Sequence, residues 1–161
     1  MTKVLGIDPG LAETGVGIVE GEKTEIHHYS FGSIQTDKAQ PLPGRLNHIF
    51  SSITSLLQSE SPDIMIVEDV FSLKAYPASG IMLGQVTGII LLAGYRAKAD
   101  VVSVPVREAK KVITGNGNAG KKQMAESVRR ILRHETVIRP DHASDALALA
   151  IMGLFRYDRI P

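Results

Sequence analysis

A mixed β-sheet with helices on both faces, of the α/β class, is the fold predicted by this 161-residue sequence. Three features carry that expectation. Through the first 36 residues apolar positions come in strand-like runs separated by short breaks, as in antiparallel strands joined by turns. From Pro43 the apolar spacing changes to three and four residues, the period of a helix. Two short apolar runs, DIMIVED and VVSVP, then alternate with helical stretches, the order that builds parallel strands.

Residues 2 to 8, 14 to 21 and 24 to 36 read as an antiparallel meander, broken at Pro9-Gly10 and around Gly21. Leu46, Ile49, Ile53, Leu56 and Leu57 line one face of a helix that runs from Pro43 and ends before Ser61-Pro62. DIMIVED, residues 63 to 69, is an apolar run closed by two acids, and the helical crossover places it parallel to the first strand. A long helix follows Tyr76-Pro77. Its Gly80, Gly84 and Gly88, spaced by four, form a stripe suited to close packing against a sheet or a second subunit. VVSVP, residues 101 to 105, is the fifth strand of the sheet. REAKKVIT is a short helix, GNGNAG a loop that no helix crosses, and KKQMAESVRRILRH, residues 121 to 134, a further amphipathic helix. A last helix begins near Pro140. With no internal repeat or linker, residues 1 to 161 read as a single domain.

The composition, 43% hydrophobic and 22% charged, is that of an ordinary globular chain able to close a core without staples. The absence of cysteine excludes disulfides and thiolate zinc sites. MTKVLGID lacks the blocks of a signal peptide, and the apolar run IILLAGY is far short of the ~20 residues of a spanning helix. A cytoplasmic location without a transmembrane segment is therefore expected.

The formal charge of +1 hides an asymmetry. Residues 1 to 95 carry 5 basic and 10 acidic side chains, whereas residues 96 to 139 carry 11 basic and 4 acidic ones. A basic segment joined to an acidic one fits a nucleic-acid enzyme with a metal site. Two solvated helices with their lysines outward would give the same balance.

Asp8 and Glu68 each stand where an apolar strand stops, and on parallel neighbours those ends meet at one edge of the sheet. His142 and Asp145, three residues apart, share a helix face. Three gathered carboxylates repel one another unless a cation or unusual protonation neutralises them, and Mg²⁺, a hard ion with oxygen ligands, suits the set. Two such ions, roughly 3.5 to 4 Å apart, would activate a water and stabilise the leaving oxygen in phosphodiester cleavage. Singly, each acid has a plainer reading. Asp8 suits a turn, Glu68 a solvent-facing strand end, and Asp145 the first turn of a helix. The successive amides of GNGNAG offer a phosphate contact, although the same residues suit any tight loop.

LGIDPG, EDVF, MLGQVTG, ITGNGNAGKKQ and DHASDALALA, in this order and spacing, resemble the RuvC family of Holliday-junction resolvases over about residues 3 to 155. The resemblance implies an RNase H-like fold, a homodimer, and Mg²⁺-dependent paired nicking of opposed strands at four-way DNA junctions during recombination and repair. It implies products with 5′-phosphate and 3′-hydroxyl ends, two Mg²⁺ per site with Mn²⁺ able to substitute, and the RuvA-RuvB branch-migration complex as partner. The family's catalytic, metal-binding positions fall on Asp8, Glu68, His142 and Asp145. The position of His142 is a carboxylate in some members, and the adjacent Asp141 is the rival ligand. Phe71 matches an aromatic that stacks on a junction base, a contact of ~1 to 3 kcal/mol, though a core phenylalanine would read alike. Lys110 and Lys121 match DNA-contacting lysines, with Lys111 and Lys122 beside them. Thr87 stands where many members carry arginine.

IDPG also resembles the first phosphate motif of actin-like ATPases and sugar kinases, but those enclose the nucleotide between two such domains and this chain has room for one. A YqgF-type RNA-processing nuclease shares the first strand motif without EDVF and DHASDA. A catalytically silent junction-binding protein is the third alternative, and the intact acidic set argues against it.

Overall fold

The structure, a computed structural model, describes residues 1–69 and 77–157. Alternating apolar residues form β1 (Thr2–Asp8), β2 (Glu13–Glu22) and β3 (Glu25–Gln35), an antiparallel meander as the pattern predicts. Helix α1 (Leu42–Glu60) crosses over to β4 (Ile64–Asp69), which lies parallel to β1. Helix α2 (Pro77–Arg96) crosses to β5 (Asp100–Pro105), parallel to β4. The helices α3 (Val106–Thr114), α4 (Lys121–Ile131) and α5 (Asp141–Tyr157) follow. The sheet order β3-β2-β1-β4-β5 is the expected mixed five-stranded arrangement.

The period of two along each strand divides the core into two layers. Leu5, Ile7, Met65 and Val67 point to one face, where Ile49, Ile53 and Leu57 of α1 and Val86, Ile90 and Ala93 of α2 cover them. Val4, Ile64 and Ile66 point to the other, packed under Leu147, Ile151 and Leu154 of α5 together with α3 and α4. Continuing each series by two places Asp8 and Glu68 on the α5 face, at the end of adjacent parallel strands. The parity of the strands thus aims both acids under one helix.

Two expectations change. Helix α4 ends at Ile131 rather than His134. Arg133 adopts a left-handed backbone with φ 52°, and the Arg129 guanidinium donates to the His134 carbonyl at 2.9 Å. The freed His134 ring meets Tyr29 and Phe31 edge-on, its Nδ1 2.7 Å from the Tyr29 hydroxyl. Tertiary contacts override the helical period there.

The second concerns α2. Its segment Ala78–Arg96, with mean hydropathy 1.5, is long and apolar enough to cross a membrane by length and composition. The short run IILLAGY concealed this because Gly84, Gln85, Thr87 and Gly88 interrupt the apolar residues without adding charge. One stripe of the helix is nevertheless committed to the sheet through Val86, Ile90 and Ala93. Of the two neighbours expected for the glycine stripe, the sheet is not one, since a Cβ at Gly84 or Gly88 would meet nothing within 4 Å. Ile81, Leu92 and Tyr95, at helical spacing along that open side, are exposed.

Candidate active site

Helix α5 reaches the carboxylate edge because β1 and β2 present glycines, Gly6, Gly15 and Gly17, beneath its first turns. A Cβ at Gly6 would lie 2.1 Å from the Ala146 carbonyl oxygen, and one at Gly15 would lie 1.9 Å from that of His142. Glycine inside a strand marks such a close backbone approach. Gly15 pairs across the ladder with Asp8, so the first turn of α5 is seated directly beside that acid.

The result is a cluster in which Asp8, His142 and Asp145 each offer a ligand atom within 4.8 Å of the others. His142 Nδ1 lies 2.7 Å from Asp8 Oδ2. Glu68 joins through a hydrogen bond with Asp8. Asp141 does not join: its carboxylate is paired with Arg139 at the surface. Lys110 and Lys121 flank Glu68 and Asp145 around a cavity of about 140 Å³. Phe71 lies outside the described residues. In the GNGNAG loop the N–H groups of Gly115, Asn116, Asn118 and Ala119 are bonded to the Lys111 carbonyl, Thr114 Oγ1, Asn116 Oδ1 and the Asn116 carbonyl. Four of the amides expected to offer a phosphate cradle are therefore already occupied.

The electrostatics follow from burial. Desolvation is the main cause that raises Asp8 to about 6, with Asp145 adding to it while the hydrogen bond from Glu68 and the charge of Lys121 oppose it. Desolvation also leads in raising Glu68 to about 8, reinforced by the hydrogen bond and charge of Asp8 and opposed by His142 and Lys110. Asp145 is raised too, first by desolvation, with Lys121 pulling the other way. The raised values of the three acids show that the set resists carrying its full negative charge unless a proton or a cation offsets it. Hard oxygen donors crowded in this way, with one imidazole, form a donor set that fits Mg²⁺ or Mn²⁺.

The family profile described as "Crossover junction endodeoxyribonuclease RuvC" matches residues 4–153, nearly the whole chain. The chain belongs to the RuvC family. The RuvC relative from Brevibacillus brevis is 40% identical over 149 residues, covering 92% of this chain and 89% of its own. That from Salinispora arenicola is 41% identical over 156 residues, covering 96% and 88%. The structure of T. thermophilus RuvC in complex with Holliday junction substrate superposes with a TM-score of 0.89 at 28% identity, covering 96% of this chain and 94% of that one. The sheet and its helices are accordingly the RNase H-like fold of RuvC.

In this RuvC-family site the raised carboxylates have a consequence for stability. Between the ordinary values of 3.8 and 4.5 and the folded values of about 6 and about 8, the folded state holds more protons than the unfolded one. Their contribution is fully present below about pH 4 and is lost as pH rises through about 8. Without metal, the melting temperature therefore falls between pH 5 and pH 8.5, and millimolar Mg²⁺ reverses the fall by replacing the protons. Calorimetry in EDTA and in Mg²⁺ at both pH values checks this. A metal-free melting temperature that rises with pH would contradict it.

Proposed function

We propose that this chain acts as a Holliday-junction resolvase, nicking two opposed strands symmetrically at a four-way DNA junction. The observation that carries the reading is the convergence of Asp8, Glu68, Asp145 and His142 on one sheet edge, overlooked by Lys110 and Lys121. In this reading Asp8, Glu68, Asp145 and His142 hold two Mg²⁺, with Mn²⁺ as a substitute. Bound metal supplies an activated water and neutralises charge developing on the phosphate. Lys110 and Lys121 hold phosphates of the junction by charge, and His142 fixes the orientation of the Asp8 carboxylate through its Nδ1. The products carry 5′-phosphate and 3′-hydroxyl ends that can be rejoined. Phe71 stacks on a junction base by resemblance to the family. Residues 1 to 161 serve as one nuclease domain, in the cytoplasm, with the RuvA-RuvB branch-migration complex as partner. Incubation with a mobile four-way junction and with linear duplex in Mg²⁺, followed by mapping of the cuts, tests the reading. Paired cuts confined to the junction are expected, and equal cutting of linear duplex would refute it.

Two sites are needed for paired nicks, and the open side of α2 supports a homodimer. Ile81, Leu92 and Tyr95 recur along it beside the unfilled spaces over Gly84 and Gly88. A charge there would be buried against its own copy. Leu92→Glu is expected to sediment as a monomer at micromolar concentration and to lose coordination between the two nicks. A dimer unchanged in this variant would move the interface elsewhere.

His142 is the member of the cluster whose chemistry differs. Imidazole is a poorer partner than carboxylate for Mg²⁺, and Mn²⁺ accepts it more readily than Mg²⁺ does. His142→Asp should keep activity with its preference shifted toward Mg²⁺, and His142→Ala should be strongly impaired with either ion. Full activity of His142→Ala with an inactive Asp141→Asn would transfer the role to Asp141.

A further inference from the structure

A groove of about 440 Å³, lined by four basic and three acidic side chains, opens from the carboxylate cluster between α4 and the first turn of α5. That volume lies within the roughly 300 to 1,000 Å³ of pockets that enclose small ligands. Lys121 and Asp145 belong both to its wall and to the cavity over Glu68, so the groove is continuous with the site. Its other wall is apolar, formed by Ala125, Val137 and Ile138, and Val137 is 64% exposed. Lys122 and Arg139 stand at its rim. Lys122 forms no ion pair among the described residues, and Arg139 is held only at the surface by Asp141. Of the three acids that line the groove, Glu126 is taken by Arg129 and Arg130, Asp141 by Arg139, and Asp145 belongs to the carboxylate cluster, so none is paired with Lys122.

An apolar wall rimmed by cations is complementary to a nucleotide, with sugar and base against the aliphatic side chains and phosphate against the charges. A peptide of either charge would gain less from it, since the resolvase reading brings only a phosphodiester strand to the adjoining site. We propose that the groove is a subsite for one nucleotide of the cleaved strand next to the scissile phosphate. Lys122 and Arg139 take its phosphate, and Val137 lies against its sugar and base. This rests on the resolvase reading above and adds how the strand is set in register: an anchor one step from the cut determines which phosphate meets the carboxylates.

The experiment measures binding to four-way junctions in Ca²⁺, each junction carrying one methylphosphonate that removes a single phosphate charge, scanned across the positions flanking the cut. For the unaltered protein one flanking position should weaken binding roughly tenfold, the scale of one charge-assisted contact. In Lys122→Gln and Arg139→Gln, both surface changes that leave the core intact, that penalty should shrink below about twofold while penalties elsewhere persist. In Val137→Asp, an abasic nucleotide at the same position should no longer make any difference. Undiminished penalties at every position in both charge variants, or junction affinities equal to that of the unaltered protein, would overturn the subsite. Failure of the unaltered protein to prefer any four-way junction over duplex is a different outcome, which would overturn the resolvase reading and the subsite with it.

Discussion

Asp8→Asn, Glu68→Gln and Asp145→Asn are each expected to lower junction cutting by at least roughly 10²-fold, the scale of losing one electrostatic stabiliser, while binding is kept or tightened. Each substitution keeps the size of the side chain and removes a charge that, in the proposed reading, holds a divalent cation. Each also removes a negative group facing a polyanion, which favours binding. The same changes relieve the metal-free protein. Asp8 is 7% exposed, and both it and Glu68 hold their protons well above the ordinary range because ionisation there is opposed by burial. Neutral amides avoid that cost, so Asp8→Asn and Glu68→Gln should melt higher than the parent in EDTA at pH 8.5. The paired readouts are single-turnover cleavage in Mg²⁺ and junction binding in Ca²⁺. Near-normal cleavage by any of the three would remove that residue from the catalytic set, and parallel loss of binding and melting temperature would indicate a misfolded variant instead.

The gathering of the carboxylates at one edge was legible because its signals are local. Asp8 and Glu68 end apolar strands, and a period of two is enough to put them on the same face once β1 and β4 are parallel neighbours. His142 and Asp145 follow from helical spacing in one short segment. Signals that depend on distant chain were harder to see. Nothing near residue 134 announces that Tyr29 and Phe31, a hundred residues away in sequence, receive the His134 ring and end α4 early. Equally remote from simple spacing is the pairing of Asp141 with Arg139 at the surface, which separates it from His142 in the cluster. The uncharged interruptions of α2 hid an apolar helix with one open side. The groove beside the site joins Val137 and Ile138 to the lysines at the start of α4, and that neighbourhood exists only after α4 and α5 have packed.

The glycines of β1 and β2 belong to the same class, and they lead to the other large effect: Gly15→Ala should slow cutting roughly 10²-fold without touching any ligand. The opening turn Asp8-Pro9-Gly10 accounts for one glycine, but Gly6, Gly15 and Gly17 sit inside strands, where glycine costs conformational entropy and contributes no packing. Their reason is α5. A methyl group at Gly15 would stand 1.9 Å from the His142 carbonyl oxygen and 2.3 Å from its carbon, both backbone atoms with no rotamer to yield. The first turn of α5 must then lift, carrying His142 and Asp145 away from Asp8, and a displacement of about 1 Å at a catalytic group costs on the order of 10²-fold. Overpacking adds roughly 1 to 3 kcal/mol of destabilisation. Gly32→Ala is the control, because a Cβ there meets nothing within 4 Å. Its cleavage rate and melting temperature should match those of the parent. In Gly15→Ala the binding of junctions in Ca²⁺ should fall far less than cleavage, since Lys110 and Lys121, the lysines proposed to hold phosphate, lie on α3 and α4. A Gly15→Ala protein that cuts at the parent rate would show that the seat of α5 on the sheet does not set the distance between its two ligands and Asp8.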